Sequence, residues 1–168
     1  MPNSHPNHLL ATLIPIAYRG IPLAALTNAI VALLVVLVLQ GHIANSLLAY
    51  WVLGVFAVSI GRVALWMRFR VAPIDEANVR QWARWLTLSA AASGLTWGLA
   101  GFLLFVPDDL HLRTFLLFVI GGMATGAVAV SGQYTPAFQA FFFLSLPAIG
   151  IRLFITGEPM EQMMAVMV

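Results

Sequence analysis

The sequence predicts an all-α polytopic membrane protein, a transmembrane helical bundle of five complete spans and the start of a sixth. Hydrophobic residues make up 61% of its 168 residues and charged residues only 8%. The mean hydropathy is +0.95, far above that of soluble domains. Five apolar runs each approach the roughly 20 residues that a bilayer crossing needs.

The five spans are predicted at 21–39, 47–66, 85–106, 114–130 and 137–154, and a sixth begins at 162–168. The segment before the first span, MPNSHPNHLL, is polar and contains proline. No small-residue cleavage pattern follows the first apolar run, so we interpret it as an uncleaved span. The whole chain, 1–168, is expected to be one transmembrane domain with no soluble domain.

Arginine distribution predicts the orientation, since positive residues are retained on the cytoplasmic side. With the N-terminus inside, most of the eight basic residues, all of them arginine, fall on cytoplasmic segments, and only Arg113 and Arg152 on the opposite face. We therefore expect a multi-pass protein of the bacterial inner membrane with a cytoplasmic N-terminus.

The main cytoplasmic connection is RFRVAPIDEANVRQWARW. Pro73 should end the second helix and Asp75 should cap the third, with Glu76 in its first turn. Arginine near anionic headgroups and tryptophan at the interface would hold the third span in the lipid bilayer. The predicted anchors are Arg68, Arg70, Arg80, Trp82, Arg84 and Trp85. Contact with a partner domain is the alternative role.

Small residues recur in two neighbouring spans. Ala90, Gly94 and Gly98 are spaced by four residues in the third span, and Gly122 and Gly126 in the fourth. Such stripes let helix backbones approach closely in membranes. The short loop PDDLHLR joins the two spans, so we expect a tight hairpin between them, with a dimer face as the alternative.

The fifth span contains Pro147, with Gly150 three residues later. Proline removes a backbone hydrogen bond and kinks a helix. The kink is expected to be either a hinge or a bent strut.

Ionisable residues are rare within the predicted spans. The spans contain no Asp, Glu, Lys or His, and Arg62 is close enough to the inner face to extend its guanidinium to the interface. Ion-coupled carriers usually need ionisable groups inside the membrane to bind and relay their ions, so a coupled transporter is disfavoured. The chain has no cysteine and no catalytic or phosphate-binding motif, so no enzyme activity and no cofactor are expected. A net charge of +2 is too small for nucleic-acid binding.

Two kinds of binding site are considered. The loops on the outer face contain His42, Asp108, Asp109 and His111, which are candidates for a metal or proton sensor together with Glu158 and Glu161 after the fifth span. The simpler reading is that Asp108 or Asp109 caps the next helix. Aromatic residues such as Trp51, Trp97 and those of 141–143 mostly fill the bundle, although some could line a pocket for an apolar ligand.

Three stretches, RQWARW, SGLTWGLAGFLLF with its loop PDD, and GGMATGAVAVSGQYTPAFQAFFFLSLPAI, carry a resemblance. They are similar to the N-terminal multi-span membrane sensor region of bacterial signalling proteins, which precedes histidine kinase, PAS or diguanylate cyclase domains. The resemblance covers a little under half of the chain. It implies a membrane input module, a homodimer, and a cytoplasmic output domain that this sequence does not contain.

The leading functional hypothesis is thus a membrane-embedded sensory or regulatory module. A small transporter or channel subunit is the first alternative, with Asn28, Ser59, Thr96, Thr125 and Ser131 as the polar groups for a path. A structural membrane subunit that assembles through its glycine faces is the second.

Overall fold

A computed structural model describes residues 5–72 and 78–156, with side chains from 10 to 155. This part of the chain has no β-strand and six helices: α1 His5–Arg19, α2 Ile21–Leu39, α3 Asn45–Val71, α4 Val79–Leu103, α5 Leu110–Ser131 and α6 Thr135–Thr156. Five stretches are long and apolar enough to cross a membrane: Leu10–Leu39, Asn45–Val71, Val79–Leu103, Leu110–Ser131 and Thr135–Ile155. The all-α, multi-pass membrane fold is confirmed. The predicted roles of Pro73, Asp75, Glu76, Glu158, Glu161 and the sixth span lie outside the described residues.

The N-terminal helix α1 differs from the prediction, which placed the first span at 21. Helical structure begins at His5, and α1 meets α2 at Gly20, which has a right-handed helical backbone. Polar residues and prolines made this segment resemble a loop in sequence. Ile14, Ala17 and Tyr18 are nevertheless buried in the core, so tertiary packing outweighs the local sequence signal.

Helix α4 lies at the centre of the bundle and makes its most extensive contact with α6. A Cβ added to Gly94 would lie 2.5 Å from the carbonyl oxygen of Phe141, and one on Gly98 would overlap that of Leu144. The backbones of α4 and α6 therefore touch where these glycines lie. Ala90 is buried on the same helix, so the small-residue stripe of α4 does form a helix-packing surface.

The predicted hairpin between the third and fourth spans is wrong. Helices α4 and α5 share only a small contact, and α5 packs mainly on α6 and α2. A Cβ on Gly122 or Gly126 would meet nothing within 4 Å. The physical reason is that α6 already occupies the small-residue face of α4, where Gly94 and Gly98 meet its backbone.

Helix α6 continues through Pro147 from Thr135 to Thr156. Gly150 is buried and Pro147 is exposed, so the proline lies on the outward side of the helix. A hinge at Pro147 stays a prediction.

Three aromatic rings pack against one another at the end of the bundle where α3 ends and α4 begins. Tyr18 stacks on Phe69 with ring centroids 3.8 Å apart, and Trp82 contacts both rings edge-on at 6.0 and 5.3 Å. The Tyr18 hydroxyl donates a hydrogen bond to the carbonyl oxygen of Trp82 at 3.1 Å. Trp82 is thus half-buried between helices, and its role as an interface anchor stays a prediction.

The other predicted anchors lie at this same end. Five of these side chains are exposed, those of Arg68, Arg70, Arg80, Arg84 and Trp85. The guanidinium of Arg70 lies 4.9 Å from the ring centre of Trp66, which orients it beside an aromatic face. Contact of these residues with headgroups stays a prediction.

Candidate ligand-binding site

A buried polar network crosses the middle of the bundle. The Asn28 amide on α2 donates to the Ser93 hydroxyl of α4 at 3.3 Å and accepts from the Trp97 indole N–H at 3.2 Å. The Trp51 indole on α3 donates to the carbonyl oxygen of Thr96 at 2.8 Å and packs edge-on against Trp97. Three helices are thereby joined by hydrogen bonds that have no competition from water.

Asn28→Leu is expected to destabilise the bundle by about 1–3 kcal/mol, because the buried Trp97 indole N–H loses the Asn28 oxygen as its hydrogen-bond acceptor. The measurement is the apparent melting temperature of purified protein in detergent. Asn45→Ala, at the exposed first residue of α3, is the matched control and should leave melting unchanged. Equal melting of the Asn28 variant and wild type would contradict a stabilising network.

Arg62 is the buried charge nearest to this network. Only 6% of the residue is exposed, and its Nε has no hydrogen-bond partner among the described residues. The hydroxyl of Ser59, one turn away on α3, is likewise buried and unpartnered in the part of the chain that the structure describes. Arg62 lies nine residues before the end of α3, about 14 Å along the helix. Arg62 is thus buried within the bundle, and extension of its guanidinium to the interface stays a prediction.

Two cavities adjoin Arg62. The first, about 740 Å³, is a groove between α3 and α4 that reaches Arg68, Asn78 and Gln81 at the aromatic end of the bundle. The second, about 250 Å³, lies among α2, α4 and α5, and Asn28 and Ser93 also line it. Arg62 thus lines both cavities.

Both cavities are confined to one half of the bundle. Their lining stops at Asn28 on α2, Val58 on α3 and Ser93 on α4. Beyond that level the bundle is filled by buried side chains, among them Trp51 and Trp97.

The sequence patterns indicate no site role for Arg62 or Ser93, and they place Asn28 only among the polar groups of a transport path. The available signal was their rarity, because polar groups within spans are costly and tend to be functional. Two of the predicted glycines, Gly122 and Gly126, do line the smaller cavity, although they were selected for helix packing.

The outer-face candidates that the structure describes are His42, Asp108, Asp109 and His111. Within the described ranges, no group of three His, Asp or Glu side chains comes together. Asp109 instead caps α5, and its carboxylate accepts from the backbone N–H of His111 at 2.8 Å and of Leu112 at 3.1 Å. The capping alternative is confirmed for Asp109. Asp108 and His42 are exposed in the neighbouring loops.

The pKa of Asp109 is lowered, chiefly by the Leu112 hydrogen bond, then by that of His111 and the nearby charges of His111 and His42. A carboxyl with a lowered folded-state pKa stabilises the fold above its unfolded pKa, near 3.9, and loses that contribution as pH falls through the folded value. Asp109→Asn keeps a capping oxygen but cannot titrate. We expect it to reduce the loss of stability below about pH 4, measured by thermal melting against pH. An unchanged pH profile would contradict this role.

No family model, no curated protein and no solved structure matches this chain. The internal geometry around Arg62 therefore carries the functional argument.

Proposed function

We propose that this chain is the membrane-embedded input module of a bacterial signalling protein, which binds a ligand inside its helical bundle. It would lie in the inner membrane with its N-terminus in the cytoplasm and act on a cytoplasmic output domain, in cis or in trans. Two copies would associate, as the resemblance to sensor regions implies. The chain itself would not be an enzyme.

The observation that carries this proposal is the position of Arg62. Arg62 is buried, and its Nε has no hydrogen-bond partner among the described residues. Charged groups within membrane spans are unfavourable and tend to be retained where they bind something. Arg62 adjoins two cavities whose lining ends at the Asn28 and Trp97 level. A ligand seated there contacts α2, α3, α4 and α5 together, so its binding would favour one packing of these helices over another.

The encoding gene, read beyond the codon for Val168, provides the test of the signalling role. An open frame that continues into a kinase, PAS or cyclase domain is the expected result. A stop codon at that position, with no signalling gene alongside, would overturn the proposal.

An anion channel or transporter is the second candidate function, because the positively charged Arg62 lines both cavities inside the membrane-spanning bundle. It predicts chloride efflux from proteoliposomes that depends on the protein and disappears in Arg62→Met. The sensor proposal predicts no such efflux, since buried indole rings fill the bundle beyond the cavities. Protein-dependent efflux would replace the sensor by a transporter.

A further inference from the structure

The smaller cavity opens sideways towards the lipid, between α2 and α5. Leu23, Gly122 and Gly126 line it and are all exposed at the bundle surface. A Cβ on either glycine would meet nothing within 4 Å, so this mouth is wide because α5 carries no side chains there. A molecule dissolved in the hydrocarbon therefore has direct access to the cavity.

The walls of this cavity are mostly apolar. The lining includes Ala24, Met123, Ala127, Val130 and Phe141. Arg62 is the one charged residue in this lining, which also includes the polar residues Ser93 and Asn28. The combination is complementary to a molecule with an apolar body and one anionic group.

The chemistry of the polar groups favours a carboxylate. A guanidinium binds a carboxylate through two parallel N–H donors, and the remaining lone pairs accept further hydrogen bonds. The Ser93 oxygen accepts from Asn28, which leaves its O–H to donate to such a group. A protonated carboxylic acid also crosses hydrocarbon as a neutral species, which a permanently charged anion cannot do. Beside Arg62 it can release its proton to solvent through the groove between α3 and α4, which Arg62 also lines.

We infer that the cavity between α2 and α5 binds a lipid-soluble carboxylic acid of the fatty-acid class, which enters from the bilayer and pairs with Arg62. A volume of about 250 Å³ is below the roughly 300 Å³ at which ligand pockets begin, so the cavity holds the carboxylate and the first part of the chain while the rest extends into lipid. This inference deepens the proposed sensory function and rests on it for its biological meaning.

The experiment uses the full chain in nanodiscs of zwitterionic lipid, with dodecanoate labelled with ¹³C at its carboxyl group. Wild type is expected to show saturable binding above that of empty nanodiscs. The bound carboxyl resonance should remain that of the ionised form at pH values where the lipid-dissolved acid is protonated, because a neighbouring cation favours ionisation. Arg62→Met should weaken binding by about tenfold or more and remove the ionised signal.

The two glycine positions provide a matched pair of variants. Gly126→Leu places a side chain in the mouth of the cavity and should reduce dodecanoate binding to the level of Arg62→Met. Gly121→Leu, also exposed and unobstructed but outside the lining, should bind like wild type. Because neither site has a neighbour within 4 Å, both variants are expected to fold.

Two other ligands define the class. The methyl ester of dodecanoate lacks the charge, and acetate lacks the apolar body, so neither should compete with labelled dodecanoate. Equal competition by the ester, equal competition by acetate, or undiminished binding by Arg62→Met would each overturn the inference. These binding results do not depend on what the gene encodes after Val168, so the ligand class and the signalling role can fail separately.

Discussion

Gly98→Leu is expected to disrupt the folded bundle, because α4 and α6 touch at this residue. A Cβ at Gly98 would overlap the carbonyl oxygen of Leu144, lie 3.3 Å from its carbonyl carbon and lie 3.5 Å from the Ala148 Cβ. Backbone atoms inside a helix cannot rotate away as a side-chain end can. Overpacking of a core commonly costs about 1–3 kcal/mol, and a backbone collision belongs at or above the top of that range. The apparent melting temperature in detergent should fall sharply, with loss of the monodisperse species in size-exclusion chromatography.

Gly126→Leu is the matched control for this prediction. It introduces the same side chain at a glycine of the neighbouring GxxxG pattern, where an added Cβ meets nothing within 4 Å. We expect its melting to stay within about 0.5 kcal/mol of wild type, as for most surface substitutions. Similar melting of the two variants would show that α4 and α6 are not in backbone contact at Gly98.

The glycine pattern predicted close packing on α4, but it did not predict which helix packs there. Gly94 and Gly98 meet α6 rather than α5, and Gly122 and Gly126 have the same spacing without any contact. Spacing places residues on one face of a helix, and it contains no information about which helix covers that face. The short loop favoured the neighbour in sequence, whereas the fold places a later helix there.

The polar site was missed for a different physical reason. In water, the buried face of a helix is recognised because the opposite face is polar. In lipid both faces of α3 are apolar, so the stripe that contains Val55, Ser59, Arg62 and Phe69 does not differ in hydropathy from the exposed side. Distance from the membrane surface alone suggested that Arg62 reaches the interface, whereas its position around the helix axis decides its burial. The cap at Asp109 was predictable because it depends only on local backbone geometry.

Arg62→Met is expected to stabilise the protein in the absence of ligand. The guanidinium is buried, and its Nε has no partner in the described part of the chain, so folding removes a charge from favourable surroundings without full compensation. Methionine has a similar length and no charge, and replacement of buried charged groups by apolar ones has stabilised proteins by about 1–4 kcal/mol. The melting temperature of the variant in detergent should therefore exceed that of wild type. Arg84→Met, at an exposed site on α4, removes the same charge and should change melting little.

The direction of the Arg62 effect distinguishes a binding residue from a structural one. If Arg62 served mainly to hold α3 in the bundle, its removal would lower the melting temperature, and that result would contradict the ligand site. If Arg62 is kept for an anion, wild type should gain stability on addition of dodecanoate, since a ligand that binds only the folded state raises its stability. Arg62→Met should gain no stability from dodecanoate. The excess of its melting temperature over that of wild type should therefore narrow or reverse as dodecanoate is added. A binding residue is expected to lower the stability of the free protein and to raise the stability of the protein with its ligand bound.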